Sequence, residues 1–327
     1  MNVAHNIVAG LDRILTMELV RVTERAAVAA ARLRGRGDEM AADQVAVDAM
    51  RQELNRLAIK GTVVIGEGER DEAPMLYIGE EVGTGKGPAV DIALDPLEGT
   101  TICAKNLPNA LAVIAIAEKG SLLFAPDVYM DKIAIGPGYA AGTIDLDASP
   151  EENVCNLAKA KGVKVSDIVA CVLDRPRHET IIASLRKAGC RVHLITDGDV
   201  AGVIHTAQPE THIDIYLGSG GAPEGVLACS ALKCVGGQFQ GRLLFRNDDE
   251  RRRATRLGLT DFDRKYMLED LVSSDAVFIA TGVTHGALLR GVQMETTARG
   301  ERFVTTESLV MISKTRTVRK LSMRRPY

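Results

Sequence analysis

The sequence has no tryptophan, and aromatic residues make up only 4% of its 327 residues. Proteins that bind single-stranded nucleic acid stack bases on aromatic side chains, so this scarcity argues against that class. The net charge of -3 and the isoelectric point near 6.1 also offer no basic surface for nucleic acid. We therefore expect no nucleic-acid partner.

Cysteine pairs with metal or redox spacing are also missing. None of the six cysteines stands in a CxxC motif, and most lie in apolar runs such as Val169–Leu173. They occupy positions 103, 155, 171, 190, 229 and 234. This pattern predicts reduced core thiols in a cytoplasmic protein.

A targeting segment and a nucleotide-binding glycine motif are absent as well. The N-terminal stretch has no long apolar run and no basic flank, so we expect neither a signal peptide nor a membrane anchor. The glycine-rich residues 83–87 lack the third glycine of a dinucleotide fingerprint and the hydroxyl residue that follows Gly-Lys in a P-loop. We interpret them as a turn or hairpin.

What is present indicates an α/β protein of two lobes. The chain is too long for one small core, and 46% of its residues are hydrophobic. Beyond about residue 160, strands and helices alternate, which is typical of an α/β lobe. We predict an N-terminal lobe over residues 1–160 and a C-terminal lobe over residues 161–327.

The N-terminal lobe is predicted to begin with two helices followed by strands. Leu19, Val22 and Ala26 share one face of the first helix, and Asp43 is predicted to stand at the head of the second. Strands are predicted at residues 62–65, 90–94 and 110–117. The basic tail, residues 314–325, is interpreted as a solvated edge strand.

Acidic residues in the N-terminal lobe fall where predicted strands end. Glu67 lies between two glycines after one strand, and Asp95 and Glu98 follow another. Buried acids repel one another unless a cation lies among them, and oxygen ligands without Cys or His favour Mg²⁺ or Mn²⁺. Two such ions, about 3.5–4 Å apart, would form a phosphoryl-transfer site. Separate helix caps and surface salt bridges remain the alternative.

Polar clusters in the C-terminal lobe also follow predicted strands. They comprise Arg175 to His178, Asp197 to Asp199, and the glycine-rich residues 218–225, which end near Glu224. Ligands bind at the carboxyl ends of strands in open α/β sheets, so these loops could converge on one ligand. Arginines suit a phosphate and aspartates suit sugar hydroxyls. Alone, these groups would be interpreted as a surface salt bridge and a turn.

The motif Asp95-Pro-Leu-Glu-Gly-Thr100 resembles the DPxDGT signature of the metal-dependent, lithium-sensitive sugar and inositol phosphatases. Residues 64–79, together with the loops at 175–178, 197–199 and 220–225 and the stretch 280–284, are similar to the class II fructose-1,6-bisphosphatases. The resemblance covers nearly the whole chain. It implies a layered α/β/α/β/α sandwich, with a metal-binding phosphatase lobe followed by a sugar-phosphate-binding lobe.

The resemblance also implies an activity and its residues. The activity is hydrolysis of the C1 phosphate of fructose 1,6-bisphosphate by in-line attack of metal-activated water, a gluconeogenic or Calvin-cycle step, with sedoheptulose 1,7-bisphosphate as a further substrate. The implied ligands of two or more Mn²⁺ or Mg²⁺ ions are Asp43, Glu67, Asp95, Glu98 and Glu224. The implied catalytic residues are Asp71, Thr100 and Glu67. The implied substrate contacts are Glu98, Gly99, Thr100, Tyr129, Arg175, Pro176, Arg177, Asp197, Gly198, Asp199 and Gly221.

One position departs from the family pattern. The family usually carries a lysine in the loop before the first metal-binding aspartate, and Glu39 stands there instead. We expect altered metal dependence from this charge reversal. The alternatives are an inositol- or nucleotide-type phosphatase with the same acids, or a non-catalytic phosphosugar sensor. Family likeness also suggests a homodimer or homotetramer.

Overall fold

The structure is a computed structural model that describes residues 16–68 and 75–327. These residues form two compact units. The first contains the described residues up to Leu122 together with Ser274–Tyr327, and the second contains Leu123–Ser273. Both units combine helices with a mixed sheet, so the predicted α/β class is confirmed.

The first unit is built on a sheet of eight strands among the described residues. Seven strands run in the order β12-β13-β11-β4-β3-β1-β2, and β14 pairs with β13. Only the pair of β1 and β3 is parallel among the described pairings of this sheet. The strands are β1 (Lys60–Ile65), β2 (Glu81–Val82), β3 (Ala89–Glu98), β4 (Leu111–Glu118), β11 (Ala276–Gly282), β12 (Gln293–Thr296), β13 (Arg302–Ile312) and β14 (Thr317–Pro326).

Helices α1 (Thr16–Ala31) and α2 (Glu39–Leu54) cover this sheet, and α3 (Thr100–Ala104) follows β3. The predicted apolar face of α1 is buried against the sheet and is at most 1% exposed at Leu19, Val22 and Ala26. The helical spacing of these residues therefore sets the face that packs.

The start of α2 differs from the prediction. Asp38, rather than Asp43, is the N-terminal cap, and its Oδ1 accepts a hydrogen bond from the Ala41 amide at 2.9 Å. Asp43 lies one turn inside the helix. Both aspartates suit a cap by residue type, so the sequence pattern did not distinguish them.

The second unit has a sheet of six strands in the order β10-β9-β5-β8-β6-β7 within the described residues. Strand β6 pairs in parallel with β7 and β8, whereas β5 pairs antiparallel with β8 and β9. The strands are β5 (Tyr129–Ile135), β6 (Val169–Leu173), β7 (Arg191–Ile195), β8 (Ile215–Gly221), β9 (Gln238–Leu244) and β10 (Tyr266–Met267).

Helices pack on both faces of the second sheet. On one face, Ile215 and Leu217 of β8 share a core with α4 (Pro150–Lys161) and α5 (Glu179–Lys187). The side chain between them, Tyr216, points to the other face because side chains alternate along a strand. It lies beneath Gly202 of a further helix. The other helices of this unit are α6 (Asp199–His205), α7 (Ala222–Val235), α8 (Asp248–Arg256) and α9 (Leu268–Leu271).

The two units do not coincide with the predicted lobes. The predicted boundary at residue 160 falls inside α4, whereas the chain enters the second unit after Leu122. Residues beyond Ser274 return to the first unit because β11 pairs with β4 over seven residue pairs. The tail forms the exposed edge strand β14, as predicted.

The six cysteines are free, and all except Cys155 are buried. Residues 83–87 form bends without regular structure, which agrees with the predicted turn. No helix in the described part of the chain has the length and apolar character needed to cross a membrane.

Candidate active site

Two predicted metal ligands of the first unit are in direct contact. Asp43 projects from α2, Glu67 follows β1, and their side chains share a hydrogen bond. Burial raises the pKa of the Asp43 carboxyl, and the hydrogen bond to Glu67 offsets part of that rise. Two carboxyl groups in contact must share a proton or a cation. This pair therefore fits a hard divalent ion.

The backbone around Glu67 is held in place by close contacts. The Glu67 amide donates to the Leu76 carbonyl at 3.0 Å, and the Ile78 amide donates to Gly68. A side chain at Gly66 would place its Cβ 2.0 Å from the Leu76 carbonyl oxygen, so only glycine fits there. The predicted catalytic Asp71 lies outside the described residues.

The end of β3 contains an irregularity where its two acids, Asp95 and Glu98, lie. Pro96 cannot donate to a ladder, and the pairing with β4 shifts register between Asp95 and Glu98. Asp95 Oδ1 accepts the Leu97 amide at 2.9 Å and stabilises this bulge. Asp95 is half-buried, whereas Glu98 is buried with 5% exposure.

Gly99 then makes the turn into α3. Its φ of 88° lies in the left-handed region, and a Cβ there would lie 2.9 Å from Ile102 Cδ1. Thr100 is consequently the first residue of α3 and is half-buried. Glu98, Gly99 and Thr100 are therefore held by one sharp turn, and their role in a site stays a prediction.

The predicted phosphate-binding loop of the second unit is anchored to β8. Arg177 donates through Nε and Nη2 to the Ser219 carbonyl, at 3.3 and 2.9 Å, and through Nε to Ser219 Oγ at 3.1 Å. Pro176 begins a short 3₁₀ turn, Pro176–His178, which presents the arginine. Arg175 is half-buried, and its Nη1 lies 3.4 Å from the Asp174 carbonyl.

His178 holds this loop in place through two hydrogen bonds of its ring. Its Nε2 accepts the Ser219 amide at 2.8 Å, so the ring proton lies on Nδ1, which donates to the Leu173 carbonyl at 2.8 Å. Burial lowers the pKa of His178, and this keeps the ring in the neutral form that both bonds require. Ser219 and His178 thus fix Arg177.

Tyr129, a predicted substrate contact, is half-buried between two guanidinium groups. Arg177 Cζ lies 4.9 Å from the ring centroid and Arg246 Cζ lies 5.1 Å from it. Arg246 also pairs with the buried Glu250 at 2.6 Å. Arg246 was not predicted from the sequence, because a single arginine after a strand gives no motif.

The loop from Asp197 to Asp199 turns at Gly198, whose φ is 80°. Asp197 Oδ1 accepts the Gly198 amide at 3.1 Å and remains half-buried. Asp199 is buried and forms an ion pair with Lys132 of β5, with 2.6 Å between Oδ2 and Nζ. Lys132 was also missed, because an isolated lysine in an apolar strand carries no sequence signal.

Glu224 lies in the first turn of α7 and folds back over Gly221. A Cβ at Gly221 would lie 1.9 Å from Glu224 Oε2, so a side chain at this position would displace the carboxylate. Both residues are half-buried. In the described residues, no group of three or more His, Cys, Asp or Glu side chains is placed to hold a metal ion. The complete ligand set therefore remains a prediction.

The first unit carries carboxylates near strand ends, and the second carries arginine, tyrosine and aspartate in loops and strand ends. These are residue types that metal-dependent phosphatases use. A family model described as "Bacterial fructose-1,6-bisphosphatase, glpX-encoded" matches residues 13–325. The chain belongs to this family.

Curated relatives agree with this assignment. The chain is 46% identical over 324 residues to the class 2 fructose-1,6-bisphosphatase 1 of Escherichia coli K12, with 95% of each chain covered. The same values hold for the class 2 enzyme of Shigella flexneri. The predicted resemblance is therefore confirmed.

Solved structures give a weaker likeness. The suppressor protein SuhB of Bartonella henselae is 14% identical and has a TM-score of 0.33, with 59% of this chain and 72% of that chain covered. The inositol monophosphatase of Anabaena is 16% identical and has a TM-score of 0.30, with 61% and 72% covered. These similarities are too low to support a statement about the site.

Proposed function

We propose that this protein hydrolyses fructose 1,6-bisphosphate to fructose 6-phosphate and inorganic phosphate. The observation that supports the proposal is the 46% identity to class 2 fructose-1,6-bisphosphatases over 95% of both chains. We extend the proposal to cleavage at the C1 phosphate and to sedoheptulose 1,7-bisphosphate as a second substrate. A cytoplasmic location and a homodimer or homotetramer complete it.

Divalent Mn²⁺ or Mg²⁺ is the proposed cofactor. Asp43 and Glu67 would hold one ion, and their contact in the first unit supports this assignment. The proposed ligands of a second ion are Asp95, Glu98 and Glu224. When bound, such ions lower the pKa of water and neutralise charge on the phosphoryl oxygens.

Side chains of this protein would orient the attacking water and the scissile phosphate. Thr100 would hold the water through its hydroxyl, and Asp71 would take its proton. The sharp turn at Gly99 supports the role of Thr100, because it fixes that residue directly after Glu98. Attack would proceed in line, without a covalent intermediate.

The phosphate that is not cleaved would bind the loop at Arg175, Pro176 and Arg177. Hydrogen bonds from Arg177 to Ser219 support this role, because they restrict the guanidinium before substrate arrives. Tyr129 would close one side of that pocket. The backbone of Gly198 and Gly221 and the carboxylate of Asp197 would contact the sugar.

Phosphate release from fructose 1,6-bisphosphate with Mn²⁺ or Mg²⁺ tests the proposal, with myo-inositol 1-phosphate as the comparison. We expect kcat/KM at least about 100-fold higher for the bisphosphate, fructose 6-phosphate as the product seen by NMR, and no turnover in excess chelator. Asp95→Asn should abolish turnover, and Asp48→Asn, an exposed acid on α2, should not. Preferred hydrolysis of the inositol ester would refute the proposed substrate.

A further inference from the structure

The second unit contains a buried ion pair that involves none of the predicted catalytic groups. Lys132 lies in the middle of β5, and its side chain is 1% exposed. Its Nζ donates to Asp199 Oδ2 at 2.6 Å, and the Asp199 side chain is 7% exposed. Lysine is rarely buried to this degree without a specific partner. We therefore treat the pair as a specific interaction within this unit.

A glycine of β8 lies directly beside the ion pair. A Cβ at Gly220 of β8 would lie 2.0 Å from Asp199 Oδ2 and 3.2 Å from Lys132 Nζ. A Cβ at Gly225 of α7 would lie 3.5 Å from Lys132 Cε. Gly220 thus provides space that the ion pair occupies, and it adjoins Gly221, whereas a side chain at Gly225 would stand in ordinary contact with the lysine.

The pair also joins elements that are distant in sequence. Lys132 is fixed in β5 by pairing with both β8 and β9, whereas Asp199 ends the turn made by Gly198. The Asp199 carboxylate faces Lys132 rather than solvent. The ion pair therefore fixes the backbone from Asp197 to Asp199 against the glycine-rich end of β8, residues 218–221.

We propose that Lys132 is a positioning residue for the sugar phosphate. It acts through Asp199, which anchors the loop from Asp197 to Asp199, and the loop then contacts the sugar through Asp197 and backbone groups. The Asp199 carboxylate is consequently an anchor for this loop, through the oxygen that accepts from Lys132. This inference rests on the proposed function, since it specifies how that site holds its ligand.

The alternative is that the pair only stabilises the fold. A second ion pair of the same unit, Lys161 with Asp214, provides the comparison. Asp214 directly precedes β8 at the end opposite Gly221, and the pair is more exposed, at 39% and 11%. We expect loss of that pair to affect stability but not the predicted loops.

The experiment measures binding of fructose 6-phosphate by calorimetry, together with KM and kcat for fructose 1,6-bisphosphate. Lys132→Met should weaken fructose 6-phosphate binding at least tenfold and raise KM by a similar factor, with kcat changed less than threefold. Lys161→Met should leave both affinities within twofold of the parent protein. A rise in KM at constant kcat is the signature of lost binding contacts.

The double variant Lys132→Met with Asp199→Asn separates positioning from stability. It removes both charges, so no lone buried charge remains and the melting temperature should return toward that of the parent. If Lys132 positions the loop, fructose 6-phosphate binding stays weak. Parent-like affinity in this variant, or in a folded Lys132→Met variant, overturns the proposal.

Gly220→Ala gives a test that keeps both charges and decides the question if the charge variants do not fold. Its methyl group must displace the Asp199 carboxylate, and we expect the same tenfold weakening. Parent-like binding by a folded Gly220→Ala variant also overturns the proposal. If the parent binds fructose 6-phosphate but does not hydrolyse the bisphosphate, the proposed function fails while the role of Lys132 can still be measured.

Discussion

At the scale of single residues, Gly221 shows how the absence of a side chain sets the position of a predicted metal ligand, Glu224. Glu224 Oε2 occupies the space where a Cβ at position 221 would lie, at 1.9 Å. The contact involves the end of a flexible side chain, so a methyl group there moves the carboxylate without breaking the backbone. Position 221 therefore allows a test of Glu224 that leaves Glu224 itself unchanged.

Gly221→Ala should lower phosphate release on the order of 10- to 100-fold, because a displaced ligand weakens metal binding by such factors. The free energy of unfolding should change by no more than about 1 kcal/mol. Gly241→Ala is the control, since its methyl group would meet the Met130 side chain, 2.6 Å from Sδ. Full activity in the Gly221 variant would contradict the assignment of Glu224.

Glu24 is a second informative residue, since it is a buried acid outside the site. It lies on α1 with 9% exposure, and Thr306 Oγ1 donates to it at 3.2 Å. Burial raises its pKa, and the bond from Thr306 and the charge of Arg325 only partly offset this. The folded protein thus holds this proton to a higher pH than the unfolded chain does.

The raised pKa of Glu24 determines how the stability of the protein depends on pH. Stability from protonated Glu24 is fully present below the ordinary glutamate pKa of about 4.3 and is lost as pH rises through the folded value. Glu24→Gln should therefore raise the melting temperature at pH 8, by about 2 °C or more, and change it little at pH 4. Glu18→Gln on the same helix, at an exposed position, should change neither value. An equal gain at both pH values would contradict this account.

At the scale of elements, helix α6 starts with an ion-paired residue and ends with a buried histidine whose ring nitrogens have no hydrogen-bond partner among the described residues. It begins at Asp199, which pairs with Lys132, and ends at His205, which is 2% exposed. Neither ring nitrogen of His205 has a hydrogen-bond partner among the described residues. Burial, with a smaller effect from His193, lowers its pKa to about 4. The helix therefore depends on a neutral histidine.

Because this pKa is lowered, the stability from neutral His205 is present above about pH 6.5 and is lost as pH falls toward 4. His205→Leu should remove that loss and also the cost of burying unpaired nitrogens, which is about 1–3 kcal/mol. The melting temperature of the variant should exceed that of the parent more at pH 5 than at pH 7.5. His285→Gln, at an exposed position of the first unit, is the control. Parallel pH curves for His205→Leu and the parent would refute the explanation.

Strands and helices with strong apolar patterns were predicted well from the sequence. The strand predicted at 110–117 is observed as Leu111–Glu118, and the face of α1 is buried as its spacing predicts. The end of β3 extends beyond the predicted residue 94, because the bulge at Asp95 keeps Glu98 paired with Leu111. Such pairing depends on a partner strand, which a local pattern does not contain.

At the scale of the whole molecule, the motifs could be recognised from the sequence, but the path of the chain through the two units could not. The return of residues 274–327 to the first unit depends on the pairing of β11 with β4, which are more than 150 residues apart. Loop motifs predicted Arg177, Asp197 and Asp199 as substrate contacts, since their residue types match phosphate and sugar chemistry. Lys132 and Arg246 came only from the structure, because packing rather than spacing brings them to those loops.

Metal binding should stabilise the protein as a whole, since ions that bind only the folded state shift unfolding by mass action. At 100 times its dissociation constant, Mn²⁺ should add about 2.7 kcal/mol to the free energy of unfolding, or roughly 5 °C in melting temperature. Asp43→Asn and Glu67→Gln should each remove at least half of this shift, because their side chains are in contact in the first unit. Asp48→Asn, an exposed acid on the same helix, should keep it. An undiminished shift in both Asp43→Asn and Glu67→Gln would show that the ion binds elsewhere and that these two acids serve the fold alone.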